Sequence, residues 1–236
     1  MEKFLQFIIQ NLDHVAPILI AGAVGAVIIV ERMVAILVTY PIPRPRSFYE
    51  NIRNLVMTER IGEAIAFCDR YGNKPMATVV REGLLRVNQP ETVIENGLEV
   101  ALGEALERTG ARTNFLSMIA NVATLLGLFG TIIGLIQSFD AVGSANAQQR
   151  SALLAAGIST AMNATMLGLA VAIPCMVAFS FLTNKTNRLN AELERAAIKT
   201  LDFIRQRYFS PGNESQHSQP HIVDANQQAP QRRAAR

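Results

Sequence analysis

The chain has 236 residues, of which 50% are hydrophobic and 17% are charged, and its formal net charge is +3. Soluble domains carry about 25% charged residues, so this deficit argues against an ordinary soluble protein. The high hydrophobicity also argues against a disordered chain. The two widely spaced cysteines, Cys68 and Cys175, indicate neither a disulfide scaffold nor a zinc site. The small net charge gives no general attraction for nucleic acid, so no such partner is expected.

The N-terminal part of the chain predicts one membrane helix. Residues 1–14 predict a short amphipathic helix at the outer membrane surface rather than a cleaved signal peptide. Residues 15–40 are apolar apart from Glu31 and Arg32, and this length is sufficient to cross a bilayer. We expect the charged pair near one membrane surface. A local ion pair is a simpler interpretation of Glu31 than a proton relay.

Two later stretches contain no ionisable side chain. Residues 113–139 and 151–184 both exceed the roughly 20 residues that a membrane-spanning helix needs. We therefore predict an all-α membrane protein with three transmembrane helices, at 15–40, 113–139 and 153–184. The segment 41–112 contains ten Lys and Arg residues and the chain after the third helix contains nine, whereas the loop 140–152 contains one. The positive-inside rule then places the N-terminus outside and the C-terminus in the cytoplasm.

The cytoplasmic segment 41–112 predicts short helices and little core of its own. A proline-rich exit, PIPRPRS at 41–47, precedes three helical patterns, the first capped by Thr58 and the last continuing into the membrane. About 70 residues are marginal for an independent core, so we expect packing against long extensions of the membrane helices. Residues 185–209 predict such a helical extension. The polar residues 210–236 predict a disordered tail.

The second membrane helix carries a row of hydroxyl groups. Hydroxyl residues recur every seven positions, which places them on nearly one face: Ser117, Thr124, Thr131 and Ser138. Small residues that allow close helix approach lie on or beside that face: Gly127, Gly130 and Gly134. The pattern leaves two interpretations open. The hydroxyls either bond to carbonyls of their own helix in a packed interface, or line a narrow wet path.

The third membrane helix has small residues on two faces and a polar cluster in its outer half. The two faces are Gly157, Ala161 and Thr165, and Ala164, Gly168 and Ala172. The polar cluster is Ser159, Thr160, Asn163 and Thr165. An unpaired amide in hydrocarbon is costly, so we expect Asn163 to hydrogen-bond to another helix. Pro174 is expected to kink the helix.

The membrane helices lack a group that can carry protons by titration. Helices 2 and 3 contain no Asp, Glu, His, Lys or Arg, and hydroxyl groups do not titrate near pH 7. If the chain belongs to a proton pathway, the carboxylate must therefore come from another polypeptide. No catalytic or metal-ligand set is visible, and the pair His217 and His221 is a weak metal signal. We expect neither an enzyme nor a cofactor.

Two stretches resemble the paired signature of the MotA/TolQ/ExbB proton channel family: LLGLFGTIIGLIQSF at 125–139 and GISTAMNATMLGLAVAIP at 157–174. The layout is similar to that of the ExbB/TolQ branch, with three membrane helices, an outer N-terminus and a Glu-Arg pair in helix 1. The resemblance implies a pentamer in the bacterial inner membrane around two single-span helices of the ExbD/TolR type, which supply an aspartate. It also implies that Thr131 and Thr165 face the pore.

The resemblance implies coupling of proton flow to work on an envelope process, with a further partner of the TonB or TolA type or a motility complex. Sodium is a less favoured ion. Weaker pore-facing candidates are Thr160, Asn163 and Thr124. Thr160 stands where many ExbB and TolQ proteins have Glu, which leaves the ion path and the process powered open. A structural scaffold that oligomerises through small-residue faces without conduction is the alternative, whereas a membrane enzyme or solute carrier is disfavoured because inverted repeats and titratable clusters are absent.

Overall fold

The structure, a computed structural model, describes residues 12–72 and 74–208. The predictions for residues 1–11 and for the tail after residue 208 lie outside this part of the chain. All regular elements within it are helical, which confirms the predicted fold class. In chain order they are α1 (Leu12–Val34, continued by a π-helical turn, Ala35–Thr39), α2 (Pro45–Met57), α3 (Ile61–Asp69), α4 (Pro75–Leu85), α5 (Glu91–Gly110), α6 (Thr113–Gly143) and α7 (Arg150–Tyr208).

Three stretches in the described ranges are long and apolar enough to cross a membrane, which confirms the predicted number of spans. They are Val15–Thr39, Glu91–Gly143 and Arg150–Tyr208. Helix α7 has 59 residues. At a rise of about 1.5 Å per residue it is about 88 Å long, nearly three times the thickness of a hydrocarbon core. The third membrane helix and the helix predicted at 185–209 are thus one continuous helix, and it runs through Pro174 without a break.

The junction between α5 and α6 differs from the prediction of a helix continuing into the membrane. Helix α5 ends at Gly110 and α6 begins at Thr113. Between them, Ala111 is extended (φ −52°, ψ 141°) and Arg112 is left-handed (φ 61°). A positive φ is unfavourable for a residue with a side chain, so surrounding contacts must hold it. One such contact joins Arg112 Nη1 to Glu31 Oε1 of α1 at 2.7 Å.

Helix α2 is an element that the sequence reading missed. The proline-rich exit is extended only as far as Arg44, because Pro45 occupies the first helical position, where its missing N–H costs nothing. Phe48, Ile52 and Val56 then follow at a spacing of four and are all buried. The predicted N-cap role of Thr58 is wrong. Thr58 ends α2 instead, its hydroxyl donating to the Asn54 carbonyl at 2.8 Å, and α3 begins at Ile61.

The largest hydrophobic core lies outside the membrane-spanning part. It joins side chains from α2 to α5 with the second half of α7, as expected for a segment too small to form a core alone. Its members include Phe48, Met76, Leu84, Ile94, Leu193 and Ile204. Smaller clusters connect α1, α6 and α7 within the membrane region, for example Ile119 and Ala123 of α6 with Cys175 of α7. Helix α7 therefore connects the membrane part to the helical domain.

Candidate functional site

Helices α6 and α7 touch backbone to backbone where their small residues meet. A β-carbon on Gly168 would lie 2.7 Å from the Ala123 carbonyl oxygen and 2.9 Å from the Gly127 Cα. One on Gly134 would lie 3.1 Å from the Ala161 Cα, and one on Gly130 would lie 2.8 Å from the Ala164 Cβ. Only residues without a side chain allow so close an approach. The glycines singled out in the sequence thus face α7 of the same chain.

The end of this contact nearest the α6–α7 loop pairs Ser138 with Gly157. The Ser138 side chain occupies the position that a β-carbon on Gly157 would need. Ser138 is buried, and its hydroxyl has no hydrogen-bond partner within the described residues. The seven-residue hydroxyl row therefore does not present one uniform surface. Its last member, Ser138, packs against Gly157 of α7.

Thr165 connects the two helices by a hydrogen bond. Its hydroxyl donates to the Gly127 carbonyl oxygen at 3.3 Å. Thr131 donates to the Leu128 carbonyl at 2.5 Å and Thr124 donates to the Ala120 carbonyl at 2.9 Å, both within α6. Each hydroxyl oxygen that donates in this way keeps lone pairs that accept a hydrogen bond from water. Thr131 and Thr165 are both partly exposed, so these lone pairs are accessible.

The register of α6 against α7 places the hydroxyl candidates at similar levels along the helix axes. Thr165 lies level with Gly127, whose β-carbon position is 3.3 Å from the Thr165 Cα. Thr124 and Thr131 lie within about one helical turn on either side of Gly127. Three hydroxyl groups, of Thr124, Thr131 and Thr165, therefore lie within about two turns along the α6–α7 contact. This grouping is the candidate site.

Asn163 lies about half a turn from Thr165 toward the N-terminal end of α7, and Thr160 lies about one and a half turns from it in the same direction. Thr160 donates to the Ala156 carbonyl at 3.0 Å and is partly exposed. Asn163 is also partly exposed and makes no hydrogen bond within the described chain, so the interhelical bond expected of it is absent there. Neither side chain is buried within the described part of the chain. A neighbouring chain or water must satisfy the Asn163 amide.

The charged pair in α1 has a third member that the sequence did not reveal. Glu31 Oε1 lies 3.5 Å from Arg32 Nη2, as the local ion pair predicts, but only 2.7 Å from Arg112 Nη1. Arg112 follows Glu31 by 81 residues, and no local pattern indicates such a pairing. Glu31 is thus bound by two guanidinium groups, which favours a structural ion pair over a proton carrier.

The segment from the turn after α3 to the C-terminal third of α7 matches a known family. Residues 71–195 match the sequence profile described as the MotA/TolQ/ExbB proton channel family. This match covers more than half of the chain. The chain belongs to the MotA/TolQ/ExbB proton channel family.

Individual relatives place this family member in the ExbB/TolQ branch. It is 26% identical to the Tol-Pal system protein TolQ of Haemophilus influenzae, over 71% of this chain and 85% of the relative. It is 32% identical to a putative biopolymer transport protein ExbB homolog of Methanothermobacter thermautotrophicus, over 58% of this chain and 46% of the relative. It is 33% identical to the biopolymer transport protein ExbB of Pseudomonas putida, over 47% of this chain and 33% of the relative. The match thus spans less than half the length of both ExbB relatives.

Within the described residues of this MotA/TolQ/ExbB family member, no group of three His, Cys, Asp or Glu side chains has the geometry to hold a metal ion. The α6–α7 contact offers hydroxyl and carbonyl oxygens in an otherwise apolar setting. Such groups hydrogen-bond water or replace part of the hydration shell of a cation. They do not gain and lose protons near pH 7.

Proposed function

We propose that this protein is an ion-channel subunit of an energy-transducing complex in the bacterial inner membrane. In this proposal it couples proton flow down the proton-motive force to mechanical work on an envelope process. The observation that carries the proposal is the grouping of Thr124, Thr131 and Thr165 along a helix contact that contains no titratable residue. Membership of a proton channel family supports the same assignment.

The chemistry requires a second polypeptide. Hydroxyl groups order water but do not load and release protons, so a carboxylate must enter from outside the chain. We propose a single-span partner of the ExbD/TolR type that brings an aspartate against Thr131 and Thr165, inside a pentamer of this chain. We propose the proton rather than sodium as the translocated ion, and no cofactor and no enzymatic step. Thr160 and Asn163, which are not buried within the described part of the chain, are then available to the partner or to a neighbouring copy.

The names of the relatives suggest the process. They belong to the Tol-Pal system and to biopolymer transport. We propose that the chain powers a Tol-type or TonB-type envelope process, with a motility complex as the less favoured assignment. The Tol-type assignment has the most support, because the TolQ relative is matched over 85% of its length.

The structure argues against the alternative of a scaffold that oligomerises through its small-residue faces. Gly127, Gly134 and Gly168 are all covered by the other helix of the same chain. A face that is already buried within one protomer is not available to bind a second protomer. The small residues therefore explain how one chain folds, and the proposed pentamer would need a different surface.

The proposal is tested by removing one hydroxyl group at a time. Thr131→Val and Thr165→Val are made in the complex purified with its co-expressed single-span partner and reconstituted in liposomes. Proton uptake driven by a membrane potential is followed with a pH-sensitive dye. We expect each variant to lower the flux at least tenfold while the subunit ratio of the complex is unchanged. Thr39→Val is the matched control, because the Thr39 hydroxyl also donates to its own helix, at the Val34 carbonyl, and Thr39 lies at the end of the π-helical turn after α1 rather than on α6 or α7.

Full proton flux in both variants would contradict the proposed role of the hydroxyl groups. A purified complex that conducts protons without any acidic single-span chain would contradict the proposal that a partner supplies the carboxylate. If no potential-dependent flux is seen with the unmodified chain and its partner, the scaffold alternative is preferred.

A further inference from the structure

A basic pocket lies outside the membrane-spanning part, between the start of α2 and the C-terminal third of α7. It has a volume of about 160 Å³, which is sufficient for a phosphate group and its first water molecules. The side chains that give it its chemistry are Arg46, Tyr49, Glu192, Arg195 and Lys199. Arg46 and Tyr49 are three residues apart on α2, and Arg195 and Lys199 are four apart on α7, so each pair lies on one helix face.

The cations of this pocket are not neutralised by ion pairs. Arg46, Arg195 and Lys199 have no carboxylate partner within the described residues, in contrast to Arg205, which pairs with Glu91 and Glu95. Glu192 is the one acidic side chain in the lining, and it too has no ion-pair partner in the described part. The pocket therefore carries a net charge of about +2, which matches a phosphate group of about −2 at neutral pH.

Neutral donors add to the positive charge. No side chain caps α2 at Arg44, so the amide groups of its first turn present the positive end of a 13-residue helix toward the pocket rim. Lys199 Nζ lies over the Tyr49 ring, 4.3 Å from its centre, in a cation–π contact. This contact holds the ammonium group between the two helices. Burial, with Glu192 nearby, raises the pKa of Tyr49 to about 12, so its hydroxyl stays protonated, and it donates to the Met76 Sδ at 3.5 Å rather than into the pocket.

The position of the pocket along α7 favours a soluble ligand over a lipid. The uncharged stretch of α7 ends at residue 184, and Glu192 and Lys199 follow 8 and 15 residues later. These residues are therefore about 12 and 22 Å further along the helix. Lipid headgroups extend only about 5–8 Å beyond the hydrocarbon core on each side. A headgroup phosphate does not reach the centre of the pocket, whereas a phosphate in solution does.

We propose that Arg46, Arg195 and Lys199 form a binding site for a soluble phosphate group, either inorganic phosphate or a phosphate monoester. Arg46 and Arg195 bind its oxygens through guanidinium N–H groups and Lys199 supplies a third charged contact. The bound anion joins the first turn of α2 to α7, two elements that lie 150 residues apart in sequence. Ligand binding would therefore fix the position of the segment after α1 relative to α7. This site is independent of the proposed ion pathway.

The test uses the full chain in nanodiscs made only of phosphatidylcholine, which carry no anionic headgroup. Inorganic phosphate binding is measured by equilibrium dialysis and by the shift of the thermal unfolding midpoint at constant ionic strength. We expect saturable binding of one phosphate per chain and a higher unfolding midpoint. The double variant Arg195→Gln, Lys199→Gln is expected to weaken the affinity at least tenfold. Arg53→Gln is the matched control, because Arg53 is an exposed cation on α2 that does not line the pocket.

Arg46→Gln is a second test that leaves the Lys199–Tyr49 contact intact, in case the double variant does not fold. Several outcomes would overturn the proposal: no saturable binding at millimolar phosphate, or equal weakening by Arg53→Gln. Binding that needs phosphatidylglycerol vesicles and is absent with inorganic phosphate would assign the pocket to a lipid. Binding of a polyglutamate peptide without any competition by phosphate would assign it to an acidic protein segment.

Discussion

A single methyl group at Gly168 tests whether the backbone contact between α6 and α7 organises the membrane part. In Gly168→Ala the new β-carbon would lie 2.7 Å from the Ala123 carbonyl oxygen, where ordinary contact begins at 3.4 Å. The helices must therefore separate by about 0.7 Å, because the clash is with backbone atoms that cannot rotate away. The Thr165 hydroxyl already donates to the Gly127 carbonyl at a long 3.3 Å, so this separation breaks the bond.

Two opposing free-energy changes decide the sign of the effect on stability. Overpacking costs about 1–3 kcal/mol, whereas replacing Gly by Ala within a helix gains about 1 kcal/mol. Gly103→Ala isolates the second contribution, because a β-carbon on Gly103 of α5 meets no atom within 4 Å. We expect Gly103→Ala to raise the free energy of unfolding by up to about 1 kcal/mol. We expect Gly168→Ala to lie about 1–3 kcal/mol below that control.

The assay is the midpoint of unfolding in mixed detergent micelles, measured by circular dichroism, together with proton flux in liposomes. Gly134→Ala gives an intermediate case, since its β-carbon would lie 3.1 Å from the Ala161 Cα and needs a separation of only a few tenths of an ångström. The expected order of stability is Gly103→Ala, then Gly134→Ala, then Gly168→Ala. Equal stability of all three variants would refute the reasoning, because it would mean that α6 and α7 are not in backbone contact.

Two further predictions concern buried small side chains. Gly157→Ala is expected to destabilise the chain through a clash with Ser138, and Ser138→Gly in the same chain is expected to restore most of the loss; additive effects in a double-mutant cycle would contradict this contact. Burial raises the pKa of the Cys68 thiol to about 12 from an unfolded value near 9. Above pH 9 the unfolded chain releases a proton that the folded chain keeps, so the free energy of unfolding falls between pH 9 and 12. Cys68→Ala is expected to reduce that fall in pH-dependent unfolding, and an unchanged profile would count against a buried neutral thiol.

The membrane helices were predictable because long stretches of the sequence lack ionisable side chains. Residues 113–139 and 151–184 contain no ionisable side chain, and uncharged apolar stretches of that length are typical of membrane-spanning helices. The small residues were also visible as spacings of three and four. Their partners were not, because a small-residue face is equally suited to a helix of the same chain and to one of another chain. Only the three-dimensional register shows that Gly127 and Gly168 meet each other.

The elements that were missed depend on long-range contacts. Helix α2 follows a proline-rich stretch, and its apolar residues Phe48, Ile52 and Val56 belong to a core that α7 joins about 150 residues later. The break at Arg112 has no glycine or proline within it to indicate a left-handed residue, and its ion pair with Glu31 is between distant parts of the chain. Local propensity is a weak guide where tertiary contacts decide the conformation.

The roles of Thr131 and Thr165 stay predictions, but their environment narrows what they can do. Both hydroxyls already donate to carbonyl groups, so each has acceptor capacity left and no free donor. Such a surface attracts water, hydronium or a cation and repels a carboxylate unless the carboxylate is protonated or accompanied by water. A partner aspartate that moves past these residues would therefore be favoured there in its protonated form. In the proposed complex, these hydroxyl groups would therefore help the partner carboxylate to take up a proton, and the group that titrates would belong to the partner.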